Sequence, residues 1–216
     1  MHPDYWNDAK THLRDVCPTM AGLIAQYQGE GLTARGDGFY TLVRSVVGQQ
    51  ISVKAADAVW GKLTRAVTPL TPENLLRKRE ATLRGCGLSA SKVAYARNVA
   101  RFYVERRLTH THALPVKEAD FWAAHSDAEV IALLTAIKGI GNWTAEMFLI
   151  FHLLRPDVFP VKDLGLLKAI DRHVRDGATE RLSPAEYLAL AERWRPYRTV
   201  ATWYLWRALD PVPVAY

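Results

Sequence analysis

The stretch from residue 134 to 163 constrains the fold most, because it places a very tight glycine turn between two helical patterns. The segment before the turn begins with a capping-box pattern, Ser126 followed by Glu129, and continues as an apolar run at helical spacing. The sequence KGIGN at 138–142 interrupts this run, and a second apolar pattern continues until the Arg-Pro pair at 155–156. The spacing predicts two helices joined by a Gly-x-Gly turn.

A turn of this kind can bind an anion. Glycine adopts positive φ angles and lets the backbone approach a ligand closely. The second helix would begin directly after the turn, so its free N–H groups and the positive end of its dipole would be available to a phosphate. A short glycine motif by itself, however, more often marks an ordinary corner between helices. The surrounding sequence has to decide between these two interpretations.

The surrounding sequence carries a family resemblance in four ordered motifs. The string LTAIKGIGNWTA at 134–145 resembles the helix-hairpin-helix of the DNA glycosylase superfamily in which a Gly/Pro-rich loop and a catalytic Asp follow the hairpin. VFPVKD at 158–163 resembles that loop, and the stretches 42–52 and 194–198 agree with further family motifs. The resemblance spans about residues 38–208 and is greatest to the alkylation-repair branch, 3-methyladenine DNA glycosylase II.

The resemblance and the helical patterns together predict an all-α protein of two helical lobes. The first lobe, residues 34–162, would be a helical barrel that ends in the helix-hairpin-helix. The second would combine residues 1–33 with 163–216, and the chain would cross between the lobes near Asp163, at an interdomain active-site cleft. Relatives in this branch often carry a β-rich domain before the helical core, and we expect that domain to be missing here.

Asp163 falls on the catalytic Asp of the family. Breaking an N-glycosidic bond builds positive charge on the sugar, and a fixed carboxylate beside C1′ stabilises that charge electrostatically. Asp163 precedes a helix that begins with Leu164, and the helix N-terminus should keep it ionised, which suits an electrostatic or base role better than an acid role. Asp is also a preferred N-cap residue, and capping alone is the alternative interpretation.

The resemblance also implies a base pocket and a reaction type. A damaged base must be flipped out of the duplex, and an aromatic pocket can hold a cationic alkylated purine. Trp143 and Trp206 fall on pocket positions, with core packing as their alternative, and Met147 stands where relatives often have another aromatic residue. Bifunctional relatives have a lysine at the Trp143 position, and an indole cannot form their Schiff base. The sequence therefore predicts a monofunctional enzyme that excises 3-methyladenine- and 7-methylguanine-type purines.

Two other functions stay open on the sequence alone. The departure at Met147 leaves room for a glycosylase that removes another damaged base, such as an etheno, deaminated or oxidised one. A non-catalytic helix-hairpin-helix DNA-binding protein is the alternative from a different class, although such a module needs neither Asp163 nor the paired tryptophans.

The DNA contacts expected from the resemblance lie in two segments. In the family, the residue equivalent to Gln50 fills the gap that the extruded base leaves, although many alkylation-repair relatives have an apolar wedge there and adjacent glutamines are commonly just solvated. Lys138 is equally consistent with a phosphate neighbour and with a solvated residue. The contacts predicted at the hairpin come from Lys138, Gly139, Ile140, Gly141 and Thr144.

The expected cofactors and partners follow. Backbone carbonyls of Thr135, Ile137 and Ile140 match those that hold a structural, monovalent or similar cation in the family. Cys17 and Cys86 are the only cysteines, too few for a four-cysteine iron–sulfur cluster. The net charge of +6 permits a polyanionic partner. The resemblance implies that this partner is double-stranded DNA with a damaged base. We expect a monomer without a membrane span, located in the cytoplasm with the nucleoid.

Overall fold

The computed structural model describes residues 2–34, 37–108 and 117–209, apart from the side chain of Val53. These residues form thirteen α-helices and one short 3-10 helix, Glu192–Trp194, and they contain no β-strand. The predicted all-α fold class is confirmed. The helices are α1 Trp6–Val16, α2 Pro18–Gln26, α3 Gly38–Gly48, α4 Val53–Ala66, α5 Pro72–Arg77, α6 Glu80–Gly85, α7 Ala90–Glu105, α8 Glu118–Ala123, α9 Asp127–Thr135, α10 Asn142–Phe151, α11 Leu164–His173, α12 Pro184–Ala191 and α13 Arg198–Leu209.

Polar side chains fix where many of these helices begin. A side-chain oxygen of the residue before the helix accepts a backbone N–H of the first turn and so satisfies a donor that has no intrahelical partner. The capping box predicted at Ser126 and Glu129 is present, with both reciprocal hydrogen bonds formed at the start of α9. The capping residues are Asp37, Ser52, Thr71, Ser89, Ser126, Asp163 and Ser183.

The chain divides into two compact units. A terminal unit consists of residues 1–34 and 149–215, and a central unit consists of residues 35–148. The sequence placed the change of lobe at 162/163, whereas the division lies at 148/149, inside α10. Residues 155–158 explain this difference, because they are hydrogen-bonded to the start of α13 and therefore belong with the terminal segments.

Each unit has its own aromatic core. In the terminal unit, Trp6 of α1 stacks on Tyr204 of α13 with ring centroids 5.8 Å apart. In the central unit, Trp122 of α8 is completely buried between Phe102 and Phe148, at 6.0 and 5.1 Å. Burial of large rings of this kind supplies much of the hydrophobic stabilisation of a helical domain. Among the helices of the described ranges, none combines the length and the apolar character that a membrane crossing requires.

Candidate active site

Asp163 is the N-cap residue of α11 and is 8% exposed. Its Oδ1 atom accepts two hydrogen bonds, one from the backbone N–H of Leu166 at 2.6 Å and one from the indole N–H of Trp206 at 2.9 Å. The first bond is the capping bond that the sequence anticipated, and the second was not anticipated. Two donors from two different helices therefore fix the orientation of a carboxylate at the N-terminus of a helix.

Gly165 leaves room beside this carboxylate. A Cβ atom at position 165 would lie 3.2 Å from Asp163 Oδ1 and 3.9 Å from the Trp206 ring, closer to the oxygen than ordinary van der Waals contact. A larger residue in the first turn of α11 would therefore press on the carboxylate and its indole partner.

Trp206 both packs and hydrogen-bonds. The residue is 6% exposed, and its ring stacks on Phe151 with centroids 5.9 Å apart and an interplanar angle of 16°. From the sequence, core packing and a place in the base pocket were alternatives for this tryptophan. In the structure its ring packs in the core, and its N–H also donates to Asp163.

A polar network ties the loop before α11 to the start of α13. The Arg198 guanidinium donates to both carboxylate oxygens of Asp157, at 2.7 and 2.9 Å. The completely buried Thr199 hydroxyl accepts the Val158 N–H at 2.9 Å and donates to the Arg155 carbonyl at 2.6 Å. This network connects the segment that ends in the N-cap carboxylate with the helix that carries its indole partner. Sequence reasoning missed it, although Arg198 lies in a stretch that resembles a family motif.

The Gly-x-Gly turn adopts the tight geometry that the sequence predicted. The N–H of Ile140 donates to the carbonyl of Ile137 at 2.9 Å, which closes the turn between α9 and α10. Gly139 has φ +107°, and a Cβ atom there would lie 2.2 Å from Cγ of Tyr95. Glycine is therefore required at position 139 for two independent reasons, its backbone angle and the adjacent ring.

The residues predicted to contact DNA at the hairpin differ in how exposed their side chains are. Lys138 and Gly141 are exposed, and a Cβ atom at Gly141 would meet no heavy atom within 4 Å. The side chains of Ile140 and Thr144 are buried, each 5% exposed. Of these predicted contacts, Lys138 therefore offers an exposed side chain and Gly141 an exposed backbone, whereas Ile140 and Thr144 expose little of theirs.

Two side-chain amides hold the carbonyls of the turn. Asn98 of α7 donates to the Lys138 carbonyl at 3.0 Å, and Gln49 donates to the Gly139 carbonyl at 3.0 Å. Arg101 Nη1 donates to Asn98 Oδ1 at 3.0 Å, which orients that amide. No local sequence pattern indicates these contacts, because the partners are 40 and 90 residues apart.

Gln50 lies in the short connection between α3 and α4. It has φ +56°, a left-handed angle that non-glycine residues adopt at a cost, and its side chain is exposed. Lys92 Nζ donates to the Val47 carbonyl at 2.8 Å at the end of α3, and desolvation by burial lowers the pKa of this ammonium. The connection is thus held at its start while the Gln50 side chain faces solvent, which is compatible with the predicted DNA contact.

The predicted pocket residues lie in both units. Trp143 is half-buried and Met147 is 2% exposed, and both belong to the central unit, whereas Asp163 and Trp206 belong to the terminal unit. Their pocket roles stay predictions. The described residues contain no group of three or more His, Cys, Asp or Glu side chains suited to a metal ion, and the predicted cation carbonyl of Ile137 already accepts one N–H.

Known proteins resemble the chain in sequence and in fold. It is 33% identical over 190 residues to DNA-3-methyladenine glycosylase 1 of Schizosaccharomyces pombe, covering 86% of this chain and 78% of that protein. A solved structure of the S. pombe 3-methyladenine DNA glycosylase Mag1 in complex with abasic DNA superposes with a TM-score of 0.76 at 27% identity, covering 97% and 100% of the two chains. The crystal structure of a Bacillus halodurans DNA-3-methyladenine glycosidase gives a TM-score of 0.71 at 34% identity, with 89% of each chain covered.

The family model described as HhH-GPD superfamily base excision DNA repair protein matches residues 43–196, which include the hairpin turn and Asp163. This range is most of the chain, and the match confirms the family predicted from the hairpin sequence. The chain belongs to the HhH-GPD superfamily of base excision DNA repair proteins.

Proposed function

We propose that the chain is a monofunctional DNA glycosylase that releases alkylated purines, of the 3-methyladenine and 7-methylguanine type, from double-stranded DNA. The observation that carries the proposal is the Asp163 carboxylate, which accepts hydrogen bonds from the Leu166 N–H of α11 and from the Trp206 indole. The sequence resemblance assigns the catalytic role to this residue. The relatives named above, which are DNA-3-methyladenine glycosylases, support this enzyme class and this substrate class.

To break the glycosidic bond of an alkylated purine, the protein has to provide little more than a correctly placed negative charge. An alkylated purine carries positive charge in its ring and leaves readily once it is flipped out of the stack. As the bond from C1′ to the base nitrogen breaks, its electron pair neutralises the purine and positive charge develops on the sugar. Asp163 stabilises that charge. The oxygen of a water molecule then bonds to C1′ and loses a proton, and the product is an abasic site.

The residue after Asn142 makes the enzyme monofunctional. Trp143 occupies the position where bifunctional relatives have the lysine that attacks the sugar, and an indole has no amine with which to form a Schiff base. The reaction consequently ends at the abasic site and leaves the DNA backbone intact.

The hairpin and the connection after α3 contact the DNA in this proposal. The backbone N–H groups of Gly139 and Gly141 bind a phosphate at the start of α10, with Lys138 beside them, and Gln50 fills the space of the extruded base. Carbonyls of Thr135, Ile137 and Ile140 would hold a monovalent cation, which supplies positive charge to the same phosphate. The enzyme acts as a monomer on nucleoid DNA in the cytoplasm.

Base release from methylated duplex DNA tests the proposal. Chromatography should detect free 3-methyladenine or 7-methylguanine with the wild-type protein and almost none with Asp163→Asn, while both proteins bind the duplex with similar affinity. Equal release by the two proteins would remove Asp163 from the mechanism. Absence of release by either protein, with DNA binding intact, would contradict the substrate class and direct the test to other damaged bases or to a binding module.

A further inference from the structure

The carbonyl side of the hairpin turn is held by two side-chain amides from elsewhere in the central unit. Asn98 Nδ2 lies 3.0 Å from the Lys138 carbonyl oxygen, and Gln49 Nε2 lies 3.0 Å from the Gly139 carbonyl oxygen. Both peptide groups of the turn that flank Gly139 are therefore fixed on their oxygen side by neutral donors.

Because a peptide group is planar, the contact to the Lys138 carbonyl also determines where the Gly139 N–H points. The Lys138 carbonyl and the Gly139 N–H belong to one planar trans peptide group, so they point in opposite directions. When Asn98 binds the carbonyl, the Gly139 N–H must point away from Asn98. Among the described residues, no acceptor takes the Gly139 N–H or the Gly141 N–H, so both remain available to a ligand.

Gln49 connects the same turn to an exposed side chain. It is the residue directly before Gln50, which has a left-handed backbone and an exposed side chain in the connection between α3 and α4. The bond from Gln49 to the Gly139 carbonyl therefore fixes the position of Gln50 relative to the hairpin turn.

We propose that Asn98 and Gln49 are positioning residues: Asn98 directs the Gly139 N–H toward a DNA phosphate, and Gln49 sets the position of Gln50 relative to that phosphate. The proposal rests on the proposed function, since it assumes that the turn and Gln50 contact DNA. Arg101 supports the assignment of Asn98. Its hydrogen bond to Asn98 Oδ1 orients the side-chain amide so that the NH₂ group faces the Lys138 carbonyl.

The first experiment compares Asn98→Ala with a matched control. Asn74→Ala removes the same kind of bond, from an Asn amide to the Pro69 carbonyl at 3.0 Å, in the same unit but away from the hairpin. We expect Asn98→Ala to bind an undamaged duplex about tenfold more weakly, the value of one hydrogen bond to a charged acceptor, and Asn74→Ala to bind like the wild type. Thermal unfolding should differ little between the two variants.

Salt dependence and chemically modified DNA distinguish a positioning role of Asn98 from a general loss of protein structure. A neutral N–H releases no counterion, so Asn98→Ala should keep the wild-type slope of log Kd against log salt, whereas Lys138→Ala should reduce it by about one. The contacted phosphate can be found by replacing the phosphates around a tetrahydrofuran abasic site, one at a time, with a neutral methylphosphonate. On the duplex that lacks the contacted phosphate, the wild type and Asn98→Ala should bind equally. A loss that persists on every methylphosphonate duplex would overturn the assignment of Asn98.

For Gln49 we expect a different effect on DNA binding. Gln49→Ala should reduce the preference for a duplex with a tetrahydrofuran abasic site over an undamaged one, and Asn98→Ala should weaken both duplexes equally. In a Gln50→Ala background, Gln49→Ala should cause no further loss of preference, because residues that act as a unit are not additive. Additive losses would overturn the role of Gln49. A wild type that binds DNA in this way but releases no alkylated base contradicts the proposed function instead.

Discussion

The indole N–H of Trp206 should contribute to catalysis through Asp163, and Trp206→Phe isolates that contribution. Phenylalanine can keep the stacking on Phe151, but it removes the indole N–H that donates to Asp163 Oδ1. The Leu166 N–H remains, so α11 stays capped while the carboxylate loses the contact that fixes its orientation from α13.

A hydrogen bond to a charged group contributes about 1.5–3 kcal/mol. Only the part that is stronger in the transition state affects the rate, and taking about half of that contribution gives about 0.75–1.5 kcal/mol. This corresponds to a roughly 4- to 13-fold lower rate of base release. Single-turnover release from methylated DNA, with enzyme in excess, measures this rate without interference from product dissociation.

Trp203→Phe is the matched control for Trp206→Phe. Trp203 lies on the same helix and makes an edge contact with Tyr204 at 4.9 Å, so the variant loses a similar volume without touching Asp163. We expect it to keep the wild-type rate at temperatures where all proteins are folded. In an Asp163→Asn background, Trp206→Phe should have little further effect. A Trp206→Phe rate within about twofold of wild type would exclude this role of the indole N–H, because a hydrogen bond of ordinary strength would have a larger effect.

Three further predictions concern the turn, the polar network and the reaction product. Gly139→Ala should lower the free energy of unfolding by at least about 1–2 kcal/mol, because alanine resists a positive φ, whereas Gly141→Ala, in open space, should change thermal unfolding little. Arg198→Met removes the bidentate partner of Asp157, which keeps the half-exposed Arg195 at 2.9 Å, and should cost about 1–3 kcal/mol in denaturant unfolding. Borohydride should trap no covalent complex with DNA, since Trp143 offers no amine; a trapped complex on denaturing gels would contradict the monofunctional reaction.

Features encoded in neighbouring residues could be read from the sequence. The capping box at Ser126, the glycine turn and the N-cap at Asp163 all depend on residues within four positions of one another, and each is present. The helices followed from apolar spacing for the same reason, because a helix face is a local pattern. The family match then extended these local signals to the whole fold.

The contacts that position the site could not be read in the same way. Gln49 and Gly139 are 90 residues apart, and Thr199 is 41 residues from Val158. Such pairs form only after the helices have packed, and a glutamine or a threonine is too common for its identity to indicate a distant partner. The change of lobe was placed at 162/163 for the same reason, because the bonds that attach residues 155–158 to α13 are long-range.

The observed helix-cap role of Asp163 and its proposed catalytic role are compatible with one arrangement. Capping requires only a short side chain with an acceptor oxygen, and Asn and Ser provide that oxygen about as well as Asp. The negative charge is the property that capping does not need and that a developing cation on the sugar does need. Leu166 and Trp206 bind the oxygen and so hold the charge in place. Asp163→Asn keeps this acceptor and removes the charge, so a folded, DNA-binding protein that has lost base release is the outcome that this arrangement predicts.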